Sequence, residues 1–224
     1  MIDTGRLQTL AAQFEIELSN EAAEKMDIYA ALLHEWNQKM NLTAIKEPEE
    51  VMVKHFLDSL TVATVLPNGP FKLIDVGTGA GFPGVPLAIL RPDMELTLLD
   101  SLNKRLVFLE TVCRETGVTA RRVHARAEEF GKKAEFAGQF DVATARAVAA
   151  MEKLAGYLLP FVKKGGKAIA MKGPDGATET ETAAKTIAKF GGKWVDTVTF
   201  TLPRLPRDGD RPPERQLIVI EKIK

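Results

Sequence analysis

Apolar residues recur every three or four positions through the first third of the chain, and in short runs or alternation afterwards. Leu7, Leu10, Ala11 and Phe14 fall at i, i+3, i+4 and i+7, which is one face of a helix. Ser19 can cap a second helix, whose stripe is Met26, Tyr29, Leu33, Trp36 and Met40. The stretch from Glu49 to Thr64 predicts a third, with Val53, Phe56, Leu57 and Leu60 on one side. Pro67-Asn-Gly-Pro70 then breaks the pattern. We therefore expect a helical cap over residues 1–66 and a second unit over 67–224.

From Phe71 onward, strand and helix patterns alternate. Strands are predicted at Lys72–Val76, Leu96–Asp100, Arg122–His124, Phe140–Thr144 and Lys167–Met171, then at Trp194–Leu202 and Gln216–Glu221. Helices are predicted around Pro86–Leu90, over Asn103–Thr116 with Gly117 as its stop, over Met151–Leu159 and over Thr178–Phe190. The last two strands are joined by the Pro- and Arg-rich stretch Pro203–Pro213. A βαβα series that ends in two successive strands predicts an α/β fold: a doubly wound, mostly parallel seven-stranded sheet with an antiparallel hairpin at one edge.

The turn after the first strand changes the picture from fold to chemistry. It reads Asp75-Val-Gly-Thr-Gly-Ala-Gly-Phe-Pro-Gly84, with Gly77, Gly79 and Gly81 alternating. Alternating glycines permit positive φ and a close approach of backbone to a ligand. Phe82 stands where a dinucleotide-binding turn would place its third glycine. A cofactor without a pyrophosphate is therefore favoured over NAD, and S-adenosylmethionine (SAM) is the candidate. In open α/β sheets the ligand lies beyond the carboxyl ends of the strands. Asp75, Asp100, Glu128 and Arg146 all fall at or near such ends. Asp100 can accept ribose hydroxyls or cap the next helix. Ala127-Glu128 can present a backbone amide to adenine, or Glu128 can simply start a helix. Phe82 can pack on the cofactor or plug the core. Arg146, ending an apolar strand, calls for an anionic partner: a cofactor carboxylate, a substrate phosphate, or a salt bridge to Asp75 or Asp100. Lys172 closes the fifth strand and can point into the crevice.

Composition removes several alternatives. Basic and acidic residues number 30 each, so the surface as a whole does not coat nucleic acid. Local basic clusters do occur, among them Arg204, Arg207, Arg211 and Arg215. One cysteine, Cys113, excludes an intramolecular disulfide and a cysteine-based metal site, and no metal is expected. The first residues lack a signal-peptide pattern and no apolar run reaches membrane-spanning length, so a soluble cytoplasmic protein, monomeric by default, is expected. His34, His55 and His124 share no ligand spacing, and no P-loop or G-x-S-x-G motif is present. The Asn/Asp-Pro-Pro-aromatic motif that accepts an exocyclic amine in DNA amino-methylating enzymes is also missing.

Several segments together resemble the bacterial glucose-inhibited division protein B family, the small-subunit rRNA methyltransferases G. They are Asn41-Leu-Thr43, His55-Phe-Leu-Asp-Ser-Leu60, the glycine turn, Leu98-Leu-Asp-Ser101 with Lys104-Arg105, Phe140-Asp141 with Ala145-Arg-Ala147, and Met171-Lys-Gly173. The resemblance implies the class I SAM-dependent methyltransferase fold and methylation of guanine N7 at position 527 of 16S rRNA. It implies cofactor contacts at Gly77, Phe82, the Ala127-Glu128 pair and Arg146. Asp75, Gly79, Gly81 and Asp100 complete the expected cofactor set. Arg146 and Lys172 are expected to position the reactants, and Asn41, His55, Lys172, Arg207 and Arg215 to face 16S rRNA or the small subunit. A non-catalytic SAM-sensing or ribosome-assembly module would keep the same pocket without the substrate face.

Overall fold

The structure is a computed structural model that describes residues 1–224. Its centre is one seven-stranded sheet: β1 (Phe71–Val76), β2 (Met94–Asp100), β3 (Ala120–His124), β4 (Phe140–Arg146), β5 (Val162–Lys172), β6 (Gly192–Thr201) and β7 (Glu214–Lys222). The strand order is β3-β2-β1-β4-β5-β7-β6. Strands β1 to β5 are parallel, and β7 runs antiparallel between β5 and β6. The order reverses between β1 and β4, so the switch point where such sheets bind ligands lies between the turns that follow these two strands.

Alternation along the strands divides the core in two. Leu73, Val142, Ile169 and Leu217 face one side, and their neighbours Ile74, Ala143, Ala168 and Ile218 face the other. The first side holds the larger cluster, 41 buried residues against 23, because the N-terminal helices pack there. These are α1 (Thr4–Ala12) and α2 (Asn20–Met40), followed by the irregular helical stretch from Pro48 to Val65. They share that core with α5 (Gly84–Leu90) and α6 (Asn103–Thr116). Ser19 caps α2 by accepting the Ala22 amide at 3.1 Å. Gly117 ends α6 with φ +70°, a conformation that costs glycine little. The second side is covered by α7 (Ala127–Phe130), α8 (Met151–Leu158), α9 (Gly176–Thr182) and α10 (Ala184–Lys189).

Two expectations need correction. The third N-terminal helix is not regular: α3 (Pro48–Val51) runs into a π-helical segment, Met52–Leu57, then α4 (Asp58–Leu60) and a 3-10 turn, Thr61–Val65. Within the π-helical segment the Lys54 carbonyl accepts a bond from outside the helix, from Arg146 at 2.9 Å. The helix expected over Thr178–Phe190 is two short helices meeting at Ala183, which is fully buried.

Candidate functional site

The glycine turn is fixed by its own amides. Gly77 and Thr78 both donate to the Leu99 carbonyl at the end of β2, at 2.8 and 3.0 Å. Gly79 donates to Asp100 Oδ2 at 2.8 Å, and Gly81 and Phe82 donate to the Thr78 carbonyl. Gly84, the first residue of α5, donates to Asp75 Oδ2 at 3.0 Å, and Thr78 Oγ1 donates to the same oxygen at 2.6 Å. A pyrophosphate needs free amides at this helix start. Here the Asp75 carboxylate occupies that place, which disfavours a dinucleotide on geometric grounds as well as by sequence.

The three glycines have different duties. Gly77 has φ +69°, and a Cβ there would meet Val148 Cγ2 at 2.8 Å. Gly79 has φ +61° and an open position, with nothing nearer to a Cβ than the Gly77 carbonyl at 3.9 Å. Gly81 differs: a Cβ would run into the Tyr29 hydroxyl at 2.5 Å and Leu109 Cδ2 at 2.6 Å. Its lack of a side chain makes room for the cap rather than for a cofactor. Tyr29 of α2, completely buried, donates its hydroxyl to the Ala80 carbonyl and so ties the cap to the turn.

Of the two readings for Phe82, its side chain takes the core. Its ring is 4% exposed and lies between Tyr29, stacked at 5.1 Å, and His55, stacked at 4.6 Å. What it offers the crevice is backbone, not an aromatic face. Asp100 is 1% exposed, and both oxygens are engaged: Oδ1 by the Leu102 amide at 2.8 Å, Oδ2 by Gly79, with Arg105 at 3.2 Å. It shapes the turn and the start of α6, and a ribose would have to use the lone pairs that Arg105 now shares. Ala127 is buried at the start of α7, while Glu128 is exposed and raises the pKa of the neighbouring Tyr157 hydroxyl.

Arg146 finds its anion in the cap, not at Asp75 or Asp100. One terminal nitrogen donates to the Lys54 carbonyl at 2.9 Å and to Asp58 Oδ2 at 3.2 Å. The other donates to His55 Nδ1 at 3.0 Å, and the guanidinium lies 5.0 Å from the Phe82 ring centroid. Since Nδ1 accepts, His55 carries its proton on Nε2 and donates to Thr43 Oγ1 at 2.8 Å. Burial first, and the Arg146 charge second, push the His55 pKa down to about 3. This imidazole is neutral at pH 7, with both nitrogens spent. Asp58 is 3% exposed, and burial raises its pKa against the pull of Arg146 and Arg215. Arg215 Nε lies 3.5 Å from Asp58 Oδ1. The cluster therefore joins cap, β4 and β7.

The other expected RNA-side residues scatter along the same edge. Asn41 closes α2 in the left-handed region, φ +48°, and is exposed. Arg207 is 69% exposed and sits 3.5 Å from both Glu47 and Glu50. Its neighbour Asp208 pairs with Lys54 at 2.6 Å, so the loop between β6 and β7 lies on the cap. Lys172 is turned away from open solvent, its Nζ donating to the Ala149 carbonyl at 2.8 Å and to Glu179 at 2.7 Å. Sequence reading missed Tyr29, Thr43, Asp58, Val148 and Glu179 as contributors. Asp58 and Thr43 did lie inside quoted segments; Glu179, one of two acids in Thr178-Glu-Thr-Glu-Thr182, gave no signal.

One atom tests whether SAM suits this crevice. Asp75 is fully buried at the switch point, and its Oδ1 has no partner. Burial pushes its pKa up to about 6, against the bonds from Thr78 and Gly84. A ligand bearing an ammonium group satisfies such an oxygen, and the amino-acid end of SAM carries one. The open backbone at Gly79 and the absence of free amides for a pyrophosphate agree. The residues fit SAM.

Comparison with known proteins gives the same answer independently. The sequence model of the GidB family, described as rRNA small subunit methyltransferase G, matches residues 22–205. The Ribosomal RNA small subunit methyltransferase G of Alkaliphilus oremlandii is 49% identical over 195 residues, covering 86% of this chain and 82% of that one. The protein of the same name from Streptococcus pyogenes serotype M12 is 45% identical over 210 residues, covering 92% and 86%. The 16S rRNA (adenine(1408)-N(1))-methyltransferase of Catenulisporales acidiphilia, solved with SAM, superposes with a TM-score of 0.53 at 16% identity, over 70% of this chain and 86% of that one. That likeness carries the fold, a class I SAM-dependent methyltransferase sheet. The match through cap, glycine turn and Arg146, at nearly half identity over most of both chains, makes this protein a member of the rRNA small subunit methyltransferase G family.

Proposed function

We propose that this chain transfers the methyl group of SAM to N7 of one guanine of 16S rRNA, at position 527, within the small ribosomal subunit. SAM supplies a methyl on a positively charged sulfur; the N7–carbon bond forms as the carbon–sulfur bond breaks. Guanine N7 is an unprotonated acceptor on the Hoogsteen edge, so no proton has to leave before attack. The observation that carries the reading is the state of His55. The one buried histidine beside the glycine turn is neutral and has both nitrogens engaged, so the crevice offers no free imidazole base. An exocyclic amine or a ribose hydroxyl has to give up a proton in the course of transfer; N7 has none to give.

The chain's own residues then bind, orient and exclude water. Gly77 and Gly79 keep backbone open to the cofactor, and Asp75 offers its unpaired oxygen to the cofactor's ammonium. Ala127 and Glu128, at the start of α7, border the far end of the crevice beyond β2 and β3. Arg146 acts through the cap, holding the His55–Asp58 segment against the end of β4. Holding two reactants in line supplies roughly 7–11 kcal/mol of the barrier, and this is the catalytic device the site supports. On the RNA side, Arg207 and Asn41 offer exposed groups, whereas His55, Lys172 and Arg215 support the surface from behind. No helix is long and apolar enough to cross a membrane. We place the activity in the cytoplasm and assign it to the monomer, because the cap, the turn and the β4 exit all come from one chain.

The test is transfer of label from SAM to small subunits lacking the modification, comparing the protein with its Gly77→Val variant. Label in 16S rRNA with the first and none with the second is the expected result. SAM binding without transfer to subunits, precursor particles or naked rRNA would make the protein a non-catalytic SAM-binding module instead.

A further inference from the structure

The segment Ala147–Ala150 leaves β4 and enters α8, crossing the sheet at the switch point. Its entrance is pinned by Arg146, whose guanidinium is bound to the cap. Its exit is pinned by a different group. Glu179 Oε2, on α9, accepts the Met151 amide at 3.0 Å and Lys172 Nζ at 2.7 Å. The same Nζ donates to the Ala149 carbonyl at 2.8 Å. Lys172 in turn holds the Glu179 carboxyl below the usual carboxylate range, so it is ionised at neutral pH.

Between the two pins, Ala147 has φ +54°, in the left-handed region that a residue with a Cβ keeps only when its surroundings hold it there. Val148 is the only side chain of the segment larger than a methyl group. It is 36% exposed, and its Cγ2 lies 2.8 Å from where a Cβ on Gly77 would stand. The valine thus spans from the β4 side of the switch point to the glycine turn on the β1 side.

We propose that Glu179 is a positioning residue for methyl transfer: with Lys172 it sets the Ala147–Ala150 segment so that Val148 forms the apolar wall against which base and methyl donor are aligned. The proposal rests on the methyltransferase reading above. Glu179 touches neither reactant. It acts through the Met151 amide and through Lys172, which acquires a defined role as the link between α9 and the Ala149 carbonyl. Displacement of Val148 would leave the β1–β2 side of the cofactor site untouched and misalign the reacting atoms.

Two readouts on Glu179→Ala and Glu179→Gln decide the matter. The first is hydrogen exchange of the Met151 amide in the protein without SAM: fast in Glu179→Ala, slow in Glu179→Gln, whose side-chain carbonyl can accept both bonds. The second is methyl transfer to small subunits at saturating SAM, well below the melting temperature of each variant. A misplacement near 1 Å predicts a kcat lower by on the order of 100-fold in Glu179→Ala, with KM for SAM nearly unchanged and most of the rate restored in Glu179→Gln. Lys172→Met added to Glu179→Ala should cost little more, since both belong to one clamp. Val148→Gly, which leaves the clamp intact, should reproduce the loss of kcat. An active wild type whose Glu179→Ala variant exchanges fast yet transfers at the wild-type rate overturns the proposal alone. A wild type with slow exchange here and no methyl transfer overturns the methyltransferase reading, and the proposal with it.

Discussion

Replacing Arg146 by methionine is the perturbation that best separates structure from chemistry in this crevice. The side chains of Arg146 and Asp58 are 16% and 5% exposed, so the pair is largely removed from water. Removing one member of a buried pair costs roughly 3–5 kcal/mol, most of it the charge left behind. Asp58 keeps Arg215 at 3.5 Å, which places the expected cost near the lower limit, about 3 kcal/mol. Removing both charges, as in Arg146→Met with Asp58→Leu, leaves only Arg215 without its Asp58 partner, and that side chain is 28% exposed and reaches water. The double variant should therefore lie within about 1–2 kcal/mol of wild type, well short of the sum of the two single variants. Urea unfolding at pH 7 measures this. Trp36, packed 5.6 Å from Phe108, reports the cap, and Trp194 on β6 reports the sheet edge. A loss below about 1 kcal/mol for Arg146→Met, or a double variant that costs the sum of the singles, would refute the view that Arg146 is spent on the cap. Loss of methyl transfer in a double variant that remains stable would then show a need for Arg146 beyond folding.

Three further outcomes follow from the same geometry. Gly77→Val combines a left-handed φ with a collision against Val148, so it should abolish SAM binding; near-normal affinity in a folded variant would sink the pocket assignment. His55, folded pKa about 3 against an ordinary 6.5, contributes stability above pH 6.5 that is lost as pH falls towards 3. Acidification from pH 7 to 5 therefore costs about 2 kcal/mol through this residue. Asp75 works the other way: its raised pKa, about 6, means that protonation relieves a burial cost, returning about 1 kcal/mol over the same interval. Histidine wins, and the stability gap between wild type and His55→Gln should shift by about 2 kcal/mol from pH 7 to 5; a constant gap speaks against a buried neutral imidazole. If ionised Asp75 receives the cofactor's ammonium, SAM affinity should fall about tenfold from pH 7.5 to 5, and Asp75→Asn should flatten that dependence. An unchanged slope in Asp75→Asn would assign the oxygen another partner.

Local signals made much of the fold readable. Asn103–Thr116 with its stop at Gly117 is seen as expected, because an apolar stripe and a left-handed glycine are both properties of neighbouring residues. The strand pattern likewise gave seven strands and an antiparallel final pair. Less visible was that β7 inserts between β5 and β6, since order within a sheet is not written in periodicity. The π segment at Met52–Leu57 was hidden because Val53, Phe56, Leu57 and Leu60 keep an ordinary helical spacing. At the site, the glycine turn announced itself by composition. Partner choice did not: Arg146 chose Asp58, 88 positions away, over two nearer acids at the same sheet edge. Phe82 and Gly81 sit in a cofactor-like motif yet serve the packing of Tyr29, which only the folded chain reveals.

The central claim is that a crevice without a free imidazole methylates a nitrogen that has no proton to lose. The most direct measurement is the chemical position of the methyl group on 16S rRNA from small subunits treated with the protein and SAM. Reduction and aniline cleavage break RNA chains at N7-methylguanine. The account predicts scission at a single guanine, absent without SAM. A methyl group found instead on an exocyclic amine or a ribose hydroxyl would contradict it.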